Sequence, residues 1–526
     1  MEKENFYITT PIFYPSNKMT LGNCYPTIIC DSIARFNKML GKNVFYLTGT
    51  DEHGQKIAKV ASEKGLDVRD YLDSMIADTK ELWKILNIDY DRFIRTTDAD
   101  HEKLTQKVFR ELYDRGYIYK GKYSGLYCTP CESFWTESQL VDGKCPDCGR
   151  DVIKQEEDAY FFKLSEFGDK LLKLYEENPD FLQPVSRVHE MVNNFIKPGL
   201  QDLCVSRTTV SWGVPVDFDP EHTIYVWIDA LFNYLTALGY LTEDDEKYKK
   251  FWPANLHLVG KEIVRFHAII WPALLMALDI PLPKQIYGHG WLLFGGQKLS
   301  KSKTAGTKEV IDPRVLSSRY GADTVRYILL REIPFGSDGT YSTENYLTRI
   351  NTDLCNDFGN LVNRTLAMLK KYFGSVVPTQ HELLEEDKNL IAAVETARDN
   401  AIRHMQTYDV SKALVEIFTI FDKGNKYIEQ TAPWVLAKSE DKSRLETVIY
   451  NLLDSIKIGA TLLTPFLTEK PQLVLDAFGI EKPDFEKIKS FGLLESGKTI
   501  QEVGVLYPRL DIQKEIAELA EIADNK

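Results

Sequence analysis

Two short segments, far apart in the chain, carry residue types that bind a nucleotide. Thr20-Leu21-Gly22-Asn23 lies between a strand pattern and a helix pattern, so its backbone amides and the helix dipole can face a phosphate. Gly22 leaves room for a flat base to approach. Lys298-Leu299-Ser300-Lys301-Ser302-Lys303 lies between Gly295-Gly296 and Ala305-Gly306, which is typical of a mobile loop whose ammonium groups stabilise charge on a triphosphate.

Each segment also has a plainer interpretation. The first is compatible with an ordinary helix entry capped by Thr20 or Asn23. The second is compatible with a solvated basic loop. The presence of both segments in one chain favours a nucleotide site that is divided between them.

Four of the eight cysteines form two Cys-x-x-Cys pairs with 13 residues between them. Four thiolates at this spacing can surround Zn²⁺ tetrahedrally and leave no open position, which indicates a structural ion. The expected ligands are Cys128, Cys131, Cys145 and Cys148. Paired disulfides and unligated thiols are the alternatives, and a reducing cytoplasm disfavours the first.

The elements around these residues predict an alternating strand and helix unit. Phe6–Thr10 is strand-like, and residues 29–40 have apolar side chains at helical spacing, with Gly41 as a stop. Val44–Leu47 is the next strand, and Asp51 follows it closely. We expect a doubly wound parallel sheet, which binds ligands at the carboxyl ends of its strands. Asp51 would lie at such an end.

The predicted pattern of strands and helices changes at two places in the chain. From Gly116 it consists of short polar and aromatic pieces around the cysteines, which predicts an insertion. The strand and helix alternation resumes near Tyr225-Val226-Trp227, with strand candidates at 256–260 and 285–290. After Tyr346 the strand signals largely vanish, and Leu354, Phe358, Leu361, Val362, Thr365 and Leu366 trace one helical face. A helical bundle is expected there, and residues 512–519 are expected to form either a short amphipathic helix or a frayed tail.

Length, hydropathy and net charge indicate the class of protein. A chain of 526 residues predicts three or four structural units. No apolar run approaches the roughly 20 residues of a membrane-spanning helix, and the N-terminus has no signal-peptide pattern, so the cytoplasm is the expected location. The net charge of −13 argues against broad nonspecific nucleic-acid binding, but it is compatible with a local basic surface.

The two nucleotide-binding segments together resemble the hallmark sequences of class I aminoacyl-tRNA synthetases, usually written HIGH and KMSKS. More of the chain is similar to the methionyl-tRNA synthetase family, from near the N-terminus to about Leu467. The segments that carry this similarity are Tyr7–Pro15, Leu47–Gly54, Tyr225–Ala230, Gly260–His267 and Thr431–Trp434.

The resemblance implies roles for individual residues. It implies catalytic or ATP-binding roles for Thr20, Gly22, Asn23, His289, Gly290, Lys298 and Lys301. It implies methionine binding by Ile12, Tyr14, Asp51, Trp227, Tyr234, Glu262 and His267. It implies anticodon contacts by Trp434, Asn356 and Arg364. Zinc would be structural, in an insertion that helps to arrange the acceptor end of tRNA, and Mg²⁺ would accompany ATP.

The chemistry of individual residues, taken without the resemblance, also supports methionine as the amino acid. Trp227 and Tyr234 are seven positions apart, so on a helix they would share a face and form an aromatic wall for a thioether. Core packing is the alternative for these two rings and for Trp434. A lone helical histidine such as His267 is more often a packing residue, and Asp51 alone is compatible with a helix cap or a surface turn.

The first hallmark departs from the family pattern, because Thr20 and Asn23 replace both histidines. Both side chains remain hydrogen-bond donors, and tryptophanyl-tRNA synthetases carry a similar T-x-G-N form, so a working site is expected. The imidazolium is lost. We therefore expect phosphate stabilisation to depend more on Lys298, Lys301 and backbone amides than in relatives with HIGH.

The resemblance implies a domain plan and a reaction. The expected fold is an α/β Rossmann-type doubly wound sheet with a zinc-bearing connective insertion, followed by an α-helical anticodon-binding bundle. The expected boundaries are 1–115 and 225–289 for the catalytic halves, 116–224 for the insertion, 290–345 for the basic loop and stem-contact region, 346–500 for the helical domain and 501–526 for the tail.

The expected activity joins L-methionine to tRNA(Met) through a methionyl-adenylate. A protein nucleophile is unnecessary, because the amino-acid carboxylate attacks the α-phosphorus of ATP and a tRNA hydroxyl then attacks the acyl group. Another class I synthetase and a noncatalytic RNA-binding relative are the alternatives. The first half has no large editing insertion, which opposes the aliphatic enzymes. A monomer is expected, since the chain stops near the end of the helical bundle.

Overall fold

The computed structural model describes residues 3–131, 133–135, 137–294, 297–298 and 312–524. Lys301 and most of the basic loop lie outside the described residues, and of Lys298 only the backbone is described. Among the described helices, none is both long and apolar enough to cross a membrane.

The first part of the chain alternates strands with helices, as the apolar patterns predict. Its strand β1 has four consecutive buried residues, which is typical of a parallel strand covered on both faces. The elements are β1 (Asn5–Thr9), α1 (Leu21–Met39), β2 (Asn43–Thr50), α2 (Gln55–Glu63), α3 (Val68–Ile85), β3 (Arg92–Arg95) and α4 (Ala99–Asp114).

The next part is built from mostly antiparallel strands around the cysteines. They form a four-stranded sheet in the order β5-β4-β6-β8 and a three-stranded sheet in the order β10-β11-β9. The elements are β4 (Ile118–Cys128), β5 (Ser133–Trp135), β6 (Ile153–Phe162), α5 (Gly168–Glu177), β7 (Leu182–Gln183), α6 (Val185–Met191), β8 (Leu203–Cys204), β9 (Ser206–Arg207), β10 (Pro215–Val216) and β11 (Asp219–Ile224).

The alternation then resumes with a helix rather than a strand, because Val226 begins α7 directly after Tyr225. The elements are α7 (Val226–Leu231), α8 (Asn233–Thr236), α9 (Glu246–Phe251), β12 (Leu256–Gly260), α10 (Trp271–Ala277) and β13 (Ile286–His289), then β14 (Leu292–Phe294), β15 (Gln297–Lys298), α11 (Pro313–Tyr320), α12 (Ala322–Glu332) and β16 (Gly339–Tyr341).

The main sheet has six parallel strands in the order β3-β2-β1-β12-β13-β7. The chain leaves β1 toward β2 and β3 on one side, whereas β12 and β13 lie on the other side. The short edge strand β7 falls inside residues 116–224, which the sequence assigns to the insertion. The expected domain boundaries stay a prediction.

The last part is helical, and Leu519 in its final helix is buried. The predicted apolar face between Leu354 and Leu366 is buried as expected, although its first half is a π-helix, Ile350–Gly359. The elements are α13 (Thr343–Arg349), α14 (Asn360–Phe373), α15 (Glu385–Gln406), α16 (Val410–Thr431), α17 (Pro433–Leu436), α18 (Ser443–Leu463), α19 (Lys470–Ala477) and α20 (Ile512–Asp524).

Candidate active site

The site lies where the direction of the sheet order changes, between β1 and β12. Carboxyl ends of parallel strands diverge at such a point and leave a crevice that binds ligands. Asp51 follows β2, the 3₁₀ turn Lys261–Ile263 follows β12, and His289 ends β13. The helix α1, which begins after Thr20, starts at the same edge of the sheet.

The start of α1 presents one side-chain donor. The Oδ1 of Asn23 accepts hydrogen bonds from the backbone N–H of Thr20 at 3.0 Å and from its hydroxyl at 3.2 Å. Because a backbone N–H can only donate, Oδ1 is assigned as the acceptor, and the Nδ2 amide remains as the donor. Within the described residues this amide has no hydrogen-bond acceptor. A Cβ on Gly22 would meet only the Thr20 hydroxyl, at 3.5 Å, so the space beside Gly22 is open.

His289 and Gly290 lie next to this helix. The His289 ring packs edge-on against Tyr25 in α1, with ring centroids 5.5 Å apart, and its Nδ1 lies 2.8 Å from the Gly290 carbonyl oxygen. A Cβ on Gly290 would lie 2.0 Å from the Ser337 carbonyl oxygen. Close backbone packing therefore requires glycine at position 290, whether or not a ligand approaches it.

Both ends of the basic loop are anchored. Before it, β15 pairs antiparallel with β14, with Lys298 opposite Leu293. After it, Arg314 donates to the backbone oxygen and the carboxylate of Asp78, both at 2.7 Å. The loop therefore starts and ends on packed structure.

Asp51 is held by the strand-like segment that follows β1. Its N–H donates to the Phe13 carbonyl at 3.0 Å, and Phe13 forms a parallel bridge with Thr50. The Tyr14 hydroxyl donates to the His53 carbonyl at 2.8 Å. Asp51 is 9% exposed, and Ile12 is half-buried and packs against a buried apolar core. The structure thus places three predicted residues, Ile12, Tyr14 and Asp51, at one strand end.

Trp227 and Tyr234 converge on His267. The helix is interrupted at Phe232 between α7 and α8, so the two rings do not form one simple helical face. Their centroids lie 6.2 Å and 5.8 Å from that of His267. Phe266, which the sequence did not single out, stacks flat on Trp227 at 3.7 Å and 5°.

His267 is held as a neutral imidazole. Its Nδ1 lies 3.0 Å from the Ile263 carbonyl oxygen, and its Nε2 lies 2.7 Å from the Tyr234 hydroxyl. The carbonyl can only accept, so Nδ1 carries the proton and the Tyr234 hydroxyl donates to Nε2. Burial lowers the pKa of His267 to about 4. The residue lies in a π-helix, Phe266–Ile270, rather than in the regular helix that the sequence predicts; such turns are frequent at functional sites.

Glu262 does not join the His267 cluster in the same way. Its side chain is exposed, and its Oε2 accepts a 2.7 Å hydrogen bond from the indole N–H of Trp291. Its expected part in methionine binding stays a prediction.

A buried polar network around Asp229 was not predicted. Asp229, two residues after Trp227 in α7, lies 2.6 Å from Nδ1 of His53 and 2.9 Å from Nε2 of His101. Burial favours a protonated Asp229, but the two histidines outweigh it and hold its pKa well below the usual range. Burial likewise opposes a charged His53, yet Asp229 raises its pKa. The network ties the Asp51 loop to the helix that carries Trp227.

Trp212, which lies between β9 and β10, contacts the same loop. Its indole N–H donates to the Glu52 carbonyl at 2.7 Å, and the Gly54 N–H donates to its carbonyl at 3.1 Å. The Glu52 carboxylate, fully buried, receives two hydrogen bonds from Arg95. Glu52, His53 and Asp229 lie within segments that carry the family resemblance, whereas Arg95, His101 and Trp212 lie outside them.

The four predicted cysteines come together. Their sulfur atoms all lie within 4.8 Å of one another, with Cys128 to Cys148 at 3.6 Å and Cys145 to Cys131 at 4.0 Å. Four sulfurs around one Zn²⁺, each about 2.3 Å from it, lie about 3.8 Å apart. The donor set and its spacing therefore fit a tetrahedral metal ion, and none of the described cysteines forms a disulfide.

The predicted anticodon residues lie on the helical part, away from the sheet. Trp434 in α17 is 44% exposed, so it is not the core tryptophan of the alternative interpretation. Arg364 donates a hydrogen bond to Glu429 at 2.7 Å. Glu429 lies near the end of α16, and α17 follows it directly in the chain. Asn356 is exposed and accepts a hydrogen bond from Arg509 at 3.2 Å.

Two family models match the chain. The model described as tRNA synthetases class I (M) matches residues 6–155 and 149–366. The model described as the anticodon binding domain of methionyl tRNA ligase matches residues 377–521. Together they cover both the sheet and the helical part.

Curated relatives are similar along the whole chain. The methionine–tRNA ligase of Caldanaerobacter subterraneus subsp. tengcongensis is 54% identical over 527 residues, covering 100% of this chain and 82% of the relative. The methionine–tRNA ligase of Clostridium acetobutylicum is 52% identical over 526 residues, covering 100% and 81%.

Solved structures agree with these relatives. Mycobacterium tuberculosis methionyl-tRNA synthetase in complex with methionyl-adenylate has a TM-score of 0.92 at 40% identity, covering 96% of this chain and 100% of that chain. The apo form of the same protein has a TM-score of 0.84 at 38% identity, covering 97% and 99%.

Proposed function

Because this chain belongs to the methionyl-tRNA synthetase family and is a methionine–tRNA ligase, we propose that the aromatic cluster around His267 binds the methionine side chain. Trp227, Phe266 and Tyr234 supply ring surface for a thioether, which makes favourable contacts with aromatic rings. The converging rings around a neutral His267 are the observation that carries this proposal.

The protonation state of His267 suits an apolar ligand. A neutral imidazole whose two nitrogens already have partners adds no charge that an uncharged side chain would have to desolvate. The Tyr234 hydroxyl is likewise occupied by His267. The pocket therefore offers shape and polarisable surface, which distinguishes a thioether from polar side chains of similar length.

Asp51 is proposed to bind the ammonium group of the amino acid. Its carboxylate lies at the end of β2, beside the segment that carries Ile12 and Tyr14. An ion pair in this partly buried position orients the substrate so that its carboxylate faces the start of α1.

The start of α1 and the basic loop are proposed to bind MgATP. The Nδ2 amide of Asn23, the backbone amides of the first helical turn and the helix dipole all favour a phosphate group there. The open space beside Gly22 admits the nucleoside. Lys298 and Lys301 are proposed to stabilise charge on the phosphates as pyrophosphate leaves.

The reaction needs orientation rather than a protein nucleophile. The carboxylate oxygen of methionine attacks the α-phosphorus, the bond to the bridging oxygen of pyrophosphate breaks, and methionyl-adenylate forms. The terminal ribose hydroxyl of tRNA then attacks the acyl carbon and releases AMP. The chain's own residues hold the reacting atoms in line and stabilise developing charge.

The four cysteines are proposed to hold a structural Zn²⁺, which keeps the two knuckles in one arrangement. Asp147 and Gly149 flank Cys148 in the sequence, and the cluster packs around Trp135 and Cys128. In the helical part, the exposed ring of Trp434 is proposed to stack on an anticodon base, and Arg364 and Asn356 are proposed as further anticodon contacts.

Methionine-dependent exchange of pyrophosphate into ATP tests the pocket. We expect Trp227→Ala to raise the KM for methionine about 10- to 100-fold, because a large apolar wall is lost, while the KM for ATP stays close to wild type. Trp434→Ala, the same change at a distant exposed site, is the matched control and should leave exchange unchanged.

A panel of amino acids completes this test. Exchange that is stronger with isoleucine, valine, leucine or cysteine than with methionine would contradict the pocket assignment. An unchanged methionine KM in Trp227→Ala would contradict it as well.

A further inference from the structure

Arg265 lies between the cysteine-bearing insertion and the proposed methionine pocket. Its guanidinium carbon is 4.3 Å from the ring centre of Trp135 and 5.4 Å from that of Phe195. Both of these rings belong to residues 116–224. The same guanidinium is 5.0 Å from the ring centre of Phe266. One planar cation thus contacts aromatic rings from both parts of the chain, at distances where cation–π attraction is significant.

On the insertion side, the position of Trp135 depends on the cysteine cluster. Trp135 is 5% exposed and packs in one small buried cluster with Cys128 and Cys145. Its strand, β5, pairs with the end of β4, so that Ser133 lies opposite Cys128 and Trp135 lies opposite Leu126. An ion that draws the four sulfurs together therefore also orders the Trp135 ring.

On the pocket side, Phe266 connects Arg265 to Trp227. Its ring stacks on Trp227 at 3.7 Å, with the two planes only 5° apart. Phe266 also precedes His267 directly in the π-helix. The rings of Trp135, Phe266 and Trp227 and the Arg265 guanidinium therefore form one continuous set of contacts from the cysteines to the pocket.

Charge supports the same connection. In the described part of the chain the Arg265 side chain makes no hydrogen bond, although it is half-buried. Asp147, Cys145 and Cys131 are the negatively charged or ionisable groups of the insertion that act on it. Four thiolates around Zn²⁺ carry two net negative charges. Negative charge of this kind stabilises a half-buried guanidinium, so an occupied cluster favours Arg265 in this place.

We propose that Arg265 is a positioning residue that couples metal occupancy of the cysteine cluster to the affinity of the methionine pocket. The proposal rests on the proposed function, because it takes the rings of Trp227 and Phe266 as the wall of that pocket. It requires that loss of the metal or of the guanidinium loosens the Phe266–Trp227 pair and weakens methionine binding.

The test measures the equilibrium dissociation constant for methionine by calorimetry, together with zinc content, in the full-length protein. We expect Arg265→Met, which keeps an unbranched apolar stem but removes the guanidinium, to weaken methionine binding about tenfold while zinc stays at one ion per chain. Arg265→Lys should weaken it about threefold, since a compact ammonium cannot stack between rings.

Arg110→Met is the matched control. Arg110 also lies over a ring, Phe218, at 5.0 Å and pairs with Asp217, and that ring packs against Phe109, Tyr113 and Tyr160 rather than against the pocket rings. Its methionine affinity should equal that of the wild type.

Metal removal gives a second readout. Stripping zinc from the wild type with a chelator should weaken methionine binding by a factor similar to that of Arg265→Met, and the same treatment should change Arg265→Met little further. In a double-mutant cycle, Trp135→Leu and Arg265→Met should be non-additive. Additive effects would overturn the proposal.

Failure of the coupling and failure of the pocket are distinguishable. If Trp227→Ala weakens methionine binding but zinc-loaded Arg265→Met binds within twofold of wild type, the coupling is wrong and the pocket stands. If neither variant changes the affinity, the pocket assignment is wrong. Should Arg265→Met fail to fold, wild-type affinity in Arg265→Lys would overturn the proposal by itself.

Discussion

Asn23 shows how an amide can occupy the place of an imidazole at a helix start. Its oxygen accepts from the backbone and side chain of Thr20, which stabilises the first turn of α1. This bond orients the Nδ2 amide as the remaining donor. The sequence alone suggests either a cap or a phosphate donor, and the geometry allows one side chain to be both.

Asn23→Asp separates these two roles. The carboxylate still accepts from Thr20, so the melting temperature should stay close to wild type. The donor is replaced by a negative charge, and we expect pyrophosphate exchange to fall by about 10²- to 10³-fold. Asn360→Asp makes the same charge change at an exposed position of α14 and should leave exchange unchanged. Near-normal exchange in Asn23→Asp would contradict the phosphate-donor role.

His267 predicts a pH dependence with a definite sign. Its pKa is about 4 in the folded protein and about 6.5 when unfolded. The unfolded chain therefore binds more protons between these values, and stability falls as the pH falls from 6.5 to 4, by about 3 kcal/mol for this one group. His267→Gln retains an acceptor for Tyr234 but cannot become an imidazolium.

The measurement is the apparent melting temperature of wild type and His267→Gln at several pH values. We expect the difference between the two proteins to shift in favour of the variant as the pH is lowered. Parallel curves from pH 7 to pH 4.5 would show that His267 has an ordinary pKa in the folded state.

At the scale of elements, α12 joins the sheet to the helical part. Arg326 is fully buried and pairs with Asp31 of α1 at 2.6 Å. Its Nε also donates to the Phe466 carbonyl at 2.7 Å. One turn earlier, Asp323 accepts from the N–H groups of Thr468 and Lys470, each at 2.7 Å. A single helix therefore holds both α1 and the turn before α19.

Loss of the Arg326 contacts should lower the free energy of unfolding. We expect Arg326→Met to destabilise the protein by about 3–5 kcal/mol, because it leaves buried carbonyls and Asp31 without a partner cation other than Arg35. Arg331→Met removes the same charge from the end of the same helix and is the control. Thermal unfolding and limited proteolysis around residues 464–470 measure the effect; equal stability of the two variants would contradict it.

At the scale of the whole molecule, the proposed chemistry and the proposed anticodon contact lie on different architectures. The sheet carries the pocket and the start of α1, and the helical part carries Trp434. Activation of methionine and recognition of tRNA should therefore respond to different substitutions. The monomer expected from the sequence stays a prediction, which light scattering measures.

Trp434→Ala tests this separation. Loss of one stacked base costs about 1–3 kcal/mol, so kcat/KM for tRNA charging should fall about 5- to 150-fold while methionine-dependent exchange stays unchanged. Leu473→Ala, at an apolar position of similar exposure, should charge tRNA normally. Equal loss of exchange and charging in Trp434→Ala would show a general folding defect instead.

Patterns that are contiguous in the chain predict a large part of the molecule. The parallel sheet, the helical C-terminal part and the four cysteines follow from spacing and apolar period, because ligand distance in a knuckle and burial in a strand are set within a few residues. The resemblance extends these patterns to Asp51, Trp227, Tyr234 and His267, and the structure brings the last three into contact. The roles of Lys298 and Lys301 rest on the sequence alone.

Contacts between distant parts of the chain were decided only by the tertiary structure. Asp229 meets His53 and His101, and Arg265 meets Trp135 and Phe266, across different elements. No local period encodes such pairs, since each partner alone is compatible with an ordinary buried or surface position. The break at Phe232 and the π-helix at His267 also arise from packing, which overrides the regular pitch that spacing predicts. The sequence thus determined which ligand-binding residue types the chain contains. The fold determined which side chains contact those residues and hold them in position.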